Sequence, residues 1–145
     1  MIYLQNEIPE PMLRRLLSRP RVMRWAERAL ALNVKAYEIT IRVVDLPEAR
    51  TLNKEFRGKN YATNVLTFDY SREPLLAADI VLCAPVIAQE AREQGKTLEA
   101  HWAHLIIHGF LHAQGYEHET DTRAALEMEA LEILLLGSLG YANPY

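Results

Sequence analysis

The chain has 145 residues, a formal net charge of −3 and a pI near 6.0, which argues against a protein that grips nucleic acid by bulk charge. Half of its residues are hydrophobic and 24% are charged, enough for one core over residues 1–145 and too apolar for a disordered chain. A single cysteine, Cys83, excludes an internal disulfide; it follows the apolar run Ile80–Val81–Leu82, where a small buried residue is expected.

Met1 to Gln5 reads as a short first strand. A helix is expected from Pro20 to Leu32, because Pro20 suits a first turn and Val22, Trp25, Ala26, Ala29 and Leu30 recur at helical spacing. Arg14, Arg15, Arg19, Arg21, Arg24 and Arg28 crowd this segment and read equally as a solvated face or as a surface for an anionic partner. Tyr37 to Val44 alternates apolar and polar residues as a strand does. Asp45 offers a cap, and Pro47 opens a helix that reaches Phe56 and breaks at Gly58. Asn64 to Tyr70 reads as a strand, and after a loop holding Pro74, Ala78 to Cys83 reads as another. A helix follows from Pro85 to Gln94 and stops at Gly95.

Thr97 is the expected N-cap of the next helix, with Glu99 placed to complement the helix dipole. This helix carries Trp102, Leu105, Ile106, Ile107, Phe110 and Leu111, is too apolar for a surface helix, and is expected at the centre of the fold, ending near Gly115. A last helix runs from Thr122 to Leu136, before Gly137, in a segment where Glu117, Glu119, Asp121, Glu127, Glu129 and Glu132 crowd together. The order predicts an α+β fold: a small, mostly four-stranded mixed sheet packed against several helices, with the histidine-bearing helix central. Strand order and direction stay open. Met1 to Glu10 lacks a signal-peptide pattern, and no charge-free apolar stretch approaches the ~20 residues of a membrane span. A soluble, cytoplasmic protein is expected.

All five histidines fall between His101 and His118. His101, His104, His108 and His112 lie within an arc of roughly 80° on one helix face. His108 and His112 are one turn apart, so their imidazoles can point at one ion. Gly115 ends the helix, and His118 can turn back toward the same point. Three nitrogens with one open position describe a catalytic zinc-type site, in which bound water is acidified to a pKa near ~7. His101 is expected on the helix surface. His104 reads as a structural histidine, with a supporting role beside His108 as the alternative. The spacing resembles the metzincin protease motif H-E-x-x-H-x-x-G-x-x-H, but Gly109 stands where that motif has its general-base glutamate.

The segment His108-Gly109-Phe110-Leu111-His112-Ala113-Gln114-Gly115-Tyr116-Glu117-His118 resembles the signature of the YbeY family, H-G-x-L-H-x-x-G-Y-D-H. Matching stretches run from Leu52 to Lys59, from Ala62 to Phe68 and from Ala78 to Cys83. The resemblance implies a single-strand-specific, metal-dependent endoribonuclease that matures the 3′ end of 16S ribosomal RNA and serves ribosome quality control. It implies one divalent ion, zinc first and nickel or another transition metal next, on His108, His112 and His118, with Arg57 as the functional arginine. It also implies single-stranded and ribosomal RNA and ribosomal proteins as partners, with neither DNA nor membrane. Two positions depart from the pattern: Glu117 replaces an aspartate, lengthening a carboxylate beside His118, and Ala78 replaces a glycine. On the residues alone, Arg57 sits between Lys54 and Lys59 at a helix end, where a guanidinium can fork onto phosphate oxygens. Thr63 and Asn64 are weaker candidates for the same cleft. The rival readings are a metallopeptidase-like hydrolase and a non-catalytic ribosome-assembly factor with a structural metal.

Overall fold

A computed structural model describes residues 1–116 and 122–145. Four strands form one sheet: β1 (Ile2–Asn6), β2 (Tyr37–Val44), β3 (Val65–Ser71) and β4 (Leu76–Cys83), in the order β1-β2-β4-β3. β1, β2 and β4 run parallel and β3 pairs antiparallel with β4, giving the expected mixed sheet with β3 at one edge. Parallel neighbours need long crossovers. The first carries α1 (Pro11–Leu16) and α2 (Arg19–Ala29), and the second carries α3 (Leu46–Arg57) and β3 itself. The remaining helices are α4 (Ala84–Glu93), α5 (Leu98–Ala113) and α6 (Thr122–Ser138).

The strand period of two splits the sheet's side chains between two cores. Ile39, Ile41, Ala78, Ile80 and Leu82 face the larger one with Trp25 of α2 and Trp102, Ile106 and Phe110 of α5. Val44, Leu66, Val81 and Cys83 face a smaller one with Ala49 of α3. α5 is buried nearly all round, as its composition predicted. Its caps also follow the sequence: the Thr97 hydroxyl accepts from Ala100 N, and Gly115, at φ 106°, turns the chain out.

Some boundaries differ from expectation. α1 lies outside the expected elements; Glu10 caps it by accepting from the amides of Met12 and Leu13. α2 ends at Ala29 rather than Leu32. α6 runs through Gly137 to Ser138, because the left-handed residue that ends it is Gly140, at φ 90°. No helix among the described residues is long and apolar enough to cross a membrane.

Candidate metal centre

α5 presents its histidines as a ladder. Ring centroids are 6.2 Å apart from His101 to His104, 6.2 Å from His104 to His108 and 4.5 Å from His108 to His112. What each ring can do depends on the carboxylate it meets. His101 Nε2 lies 3.0 Å from Glu90 Oε1 of α4, and the ring is buried. The expectation of a surface histidine fails because α4 packs over that side of α5 and supplies the partner a buried imidazole needs.

Glu132 of α6 is fully buried and serves the next two rungs. Its Oε1 lies 2.7 Å from His104 Nε2 and 3.0 Å from His108 Nδ1. Burial alone would raise this carboxyl, but the hydrogen bonds donated by His104 and His108 outweigh it and hold the group at about 2. The carboxylate is ionised and only accepts, so both rings donate to it. A neutral His108 that donates through Nδ1 carries its lone pair on Nε2. That nitrogen lies 3.0 Å from His112 Nε2. Two nitrogens sharing one ion at ~2.1 Å, at a tetrahedral angle, stand roughly 3.4 Å apart, so the pair is within a few tenths of an ångström of chelating geometry.

A second donor set shares His108. The ligand atoms of His104, His108 and Glu132 lie within 4.8 Å of one another and can hold a metal ion. His104 and Glu132 are buried, whereas His108 and His112 are partly exposed. His118 lies outside the described residues, as does Glu117.

The two partly exposed imidazoles line a groove of about 1790 Å³ that also takes in Arg57, Thr63, Asn64 and Lys96. Arg57 ends α3, where Gly58 adopts the left-handed cap at φ 69°. Buried Asn53 holds the loop beyond it, donating from Nδ2 to Tyr61 O at 2.8 Å. Asn64 Nδ2 donates to both Glu90 oxygens at 3.1 and 3.2 Å. The open edge of β3 borders the same groove, and the exposed rings of Phe56 and Tyr70 line it.

Gly109 explains the departure from the protease motif. A Cβ there would lie 2.7 Å from Ile80 Cγ2, so α5 rests directly on β4 at this position. A side chain at 109 would enter the sheet rather than the groove, so a glutamate could not serve as the protease base there. Sequence reasoning missed Glu132, whose burial only the fold reveals. One signal was available: Met128, Glu132 and Leu136 recur at i, i+4 and i+8, which places a carboxylate inside an apolar stripe.

A family model described as Endoribonuclease YbeY matches residues 6–140. An Endoribonuclease YbeY of Polaromonas sp. is 64% identical over 132 residues, covering 91% of this chain and 84% of the relative. One of Delftia acidovorans is 57% identical over 135 residues, covering 93% and 87%. A solution structure from Thermotoga maritima covers 99% of this chain and 98% of its own, with a TM-score of 0.60 at 24% identity, a likeness of fold alone. The family match takes in α5, α6 and the Arg57 turn, where the groove's chemistry lies, and the chain belongs to the YbeY endoribonuclease family.

Proposed function

We propose that this chain is a metal-dependent endoribonuclease that hydrolyses single-stranded RNA, matures the 3′ end of 16S ribosomal RNA and serves ribosome quality control in the cytoplasm alongside ribosomal proteins. The observation that carries the reading is the convergence of His108 and His112 Nε2 at 3.0 Å within the groove that holds Arg57. His108, His112 and His118 are the proposed ligands of one divalent ion, zinc before nickel or another transition metal, since three imidazoles suit several and affinity order alone does not choose. This set is favoured over His104, His108 and Glu132 because a catalytic site needs an accessible position, and those carboxylate contacts are buried. When bound, such an ion supplies Lewis acidity and acidifies a water.

The chain's own groups do the rest. Glu132 takes the Nδ1 proton of His108 in a hydrogen bond and fixes which nitrogen faces the groove. The Arg57 guanidinium forks onto the phosphodiester and offsets charge gathering on phosphorus. Phe56 and Tyr70, 63% and 67% exposed, offer faces on which unpaired bases stack. A duplex hides its base faces, which accounts for the single-strand preference.

The test is a labelled RNA assay, single- and double-stranded, on metal-analysed protein. His108→Ala is expected to lose the ion and the cleavage while staying folded. Full cleavage by that variant, or by chelated wild type, refutes the proposal. Casein cleavage would favour a peptidase instead, and metal-loaded protein that binds ribosomal particles yet cuts nothing would favour an assembly factor.

A further inference from the structure

Beyond α6 the chain doubles back across α5. Gly140 makes the turn at φ 90°, and Tyr141 N returns to Leu136 O at 2.9 Å. The Tyr141 hydroxyl then pins the segment, accepting from Trp25 Nε1 at 3.1 Å and donating to Glu99 Oε2 at 2.6 Å. Four residues later Tyr145 reaches the histidine ladder. Its hydroxyl donates to Glu132 Oε2 at 2.9 Å, and its ring stands edge-on to His104 at 5.4 Å and 82°.

Glu132 is therefore held at both oxygens. Oε1 takes the two imidazoles and Oε2 takes the phenol. A buried carboxylate must find donors for its lone pairs, or it turns until it does. With Oε2 fixed, Oε1 stays between His104 and His108. With Oε2 released, the carboxylate can rotate, and His108 is no longer confined to the tautomer that leaves Nε2 unprotonated.

We infer that Tyr145 is a positioning residue of the metal centre, acting through Glu132 on His108. This rests on the reading of His108 and His112 as metal ligands. Tyr145 lies outside the stretch that the family model matches, residues 6–140, so this role is not part of that match. Tyr145 is itself 60% exposed, so its substitution by phenylalanine leaves the core intact.

The experiment measures zinc affinity of the full chain by competition with a chromophoric chelator, for wild type, Tyr145→Phe, Glu132→Gln and the double variant. Tyr145→Phe is expected to weaken zinc about tenfold, the low end for partners around a ligand, while the metal-free melting temperature holds. In the Glu132→Gln background the same change is expected to add nothing. Should Glu132→Gln fail to fold, the ¹⁵N imidazole spectrum of metal-free Tyr145→Phe replaces the cycle, with His108 shifting toward the Nε2–H tautomer. Wild type that takes no zinc overturns the ligand reading and this inference together. Wild type that binds while Tyr145→Phe binds equally overturns this inference alone, as does an equal loss in the Glu132→Gln background or an unchanged His108 spectrum.

Discussion

Gly109→Ala sets two effects against each other. In an exposed helix interior, alanine for glycine stabilises by ~1 kcal/mol. Here the new methyl would stand 2.7 Å from Ile80 Cγ2 and 3.3 Å from Ile80 Cδ1. Ile80 is fully buried and β-branched, so its Cγ2 cannot swing aside as the end of a long side chain would. Overpacking of this kind costs about 1–3 kcal/mol, and the closeness of the contact places it near the top of that range. The net expectation is a loss of roughly 2 kcal/mol, or about 4–8 °C in melting temperature for a chain of this size. Urea unfolding of wild type, Gly109→Ala, Ile80→Ala and the double variant measures it. Ile80→Ala alone leaves a cavity costing ~2–5 kcal/mol, and the methyl introduced by Gly109→Ala should partly fill it. The double variant should therefore lose less than the sum of the singles, by about 1 kcal/mol or more. A Gly109→Ala protein more stable than wild type, or a strictly additive pair, refutes the claim that this glycine exists to seat α5 on β4.

Arg57→Ala should lower RNA cleavage roughly 10²- to 10³-fold, the scale of removing one preorganised charge-stabilising donor, with the urea midpoint read alongside to separate chemistry from stability; an unchanged rate removes it from the chemistry. Asn53→Ala should cost about 1 kcal/mol by removing the hydrogen bond to Tyr61 O, and hydrogen exchange should show residues 58–64 opening; intact protection there would show that the loop holds itself. Burial keeps the His101 imidazole below the ordinary histidine range against the opposing pull of Glu90. Its folded pKa thus lies below the unfolded value of ~6.5. The unfolded chain takes up the proton first, so this destabilisation is absent above that pH and stability is lost as pH falls below it through the folded pKa. His101→Gln should flatten this acid limb in a series of urea midpoints, and identical limbs would show that His101 does not create it.

Much of α5 could be read from its letters, because cap, apolar fill and terminating glycine are local signals. Thr97, the run from Trp102 to Leu111, and Gly115 act where they were expected to act. The departures have different causes. Helical periodicity assigns faces relative to a single core, and α5 has neighbours on several sides. His101 reads as outward-facing because nothing in its own helix announces Glu90 of α4. Glu132 reads as part of an acidic segment because charge density reports solvation on average, not the residue that turns inward. α1 escaped because a helix of six residues is too short to show a period. The order β1-β2-β4-β3 had no local signal either, since which strand β4 joins is settled by crossover packing.

The same spacing gives three imidazoles different roles, and the carboxylates decide which. His104, His108 and His112 are each four residues apart and nearly equivalent on α5 alone. Glu132 breaks the equivalence by meeting His104 at Nε2 and His108 at Nδ1. A ring that donates through Nε2 spends the nitrogen at its far end on protein. A ring that donates through Nδ1 keeps that end for whatever enters the groove. On the proposed reading, histidine spacing narrows the metal site to a helix face, and the tautomer imposed by a carboxylate from another helix selects the ligands on it. Exchanging Glu132 for leucine should blur that selection even if the fold survives, with zinc affinity falling about 10- to 100-fold. Unchanged affinity, with His108 still in the Nδ1–H tautomer by ¹⁵N spectroscopy, would mean that α5 sets the roles unaided.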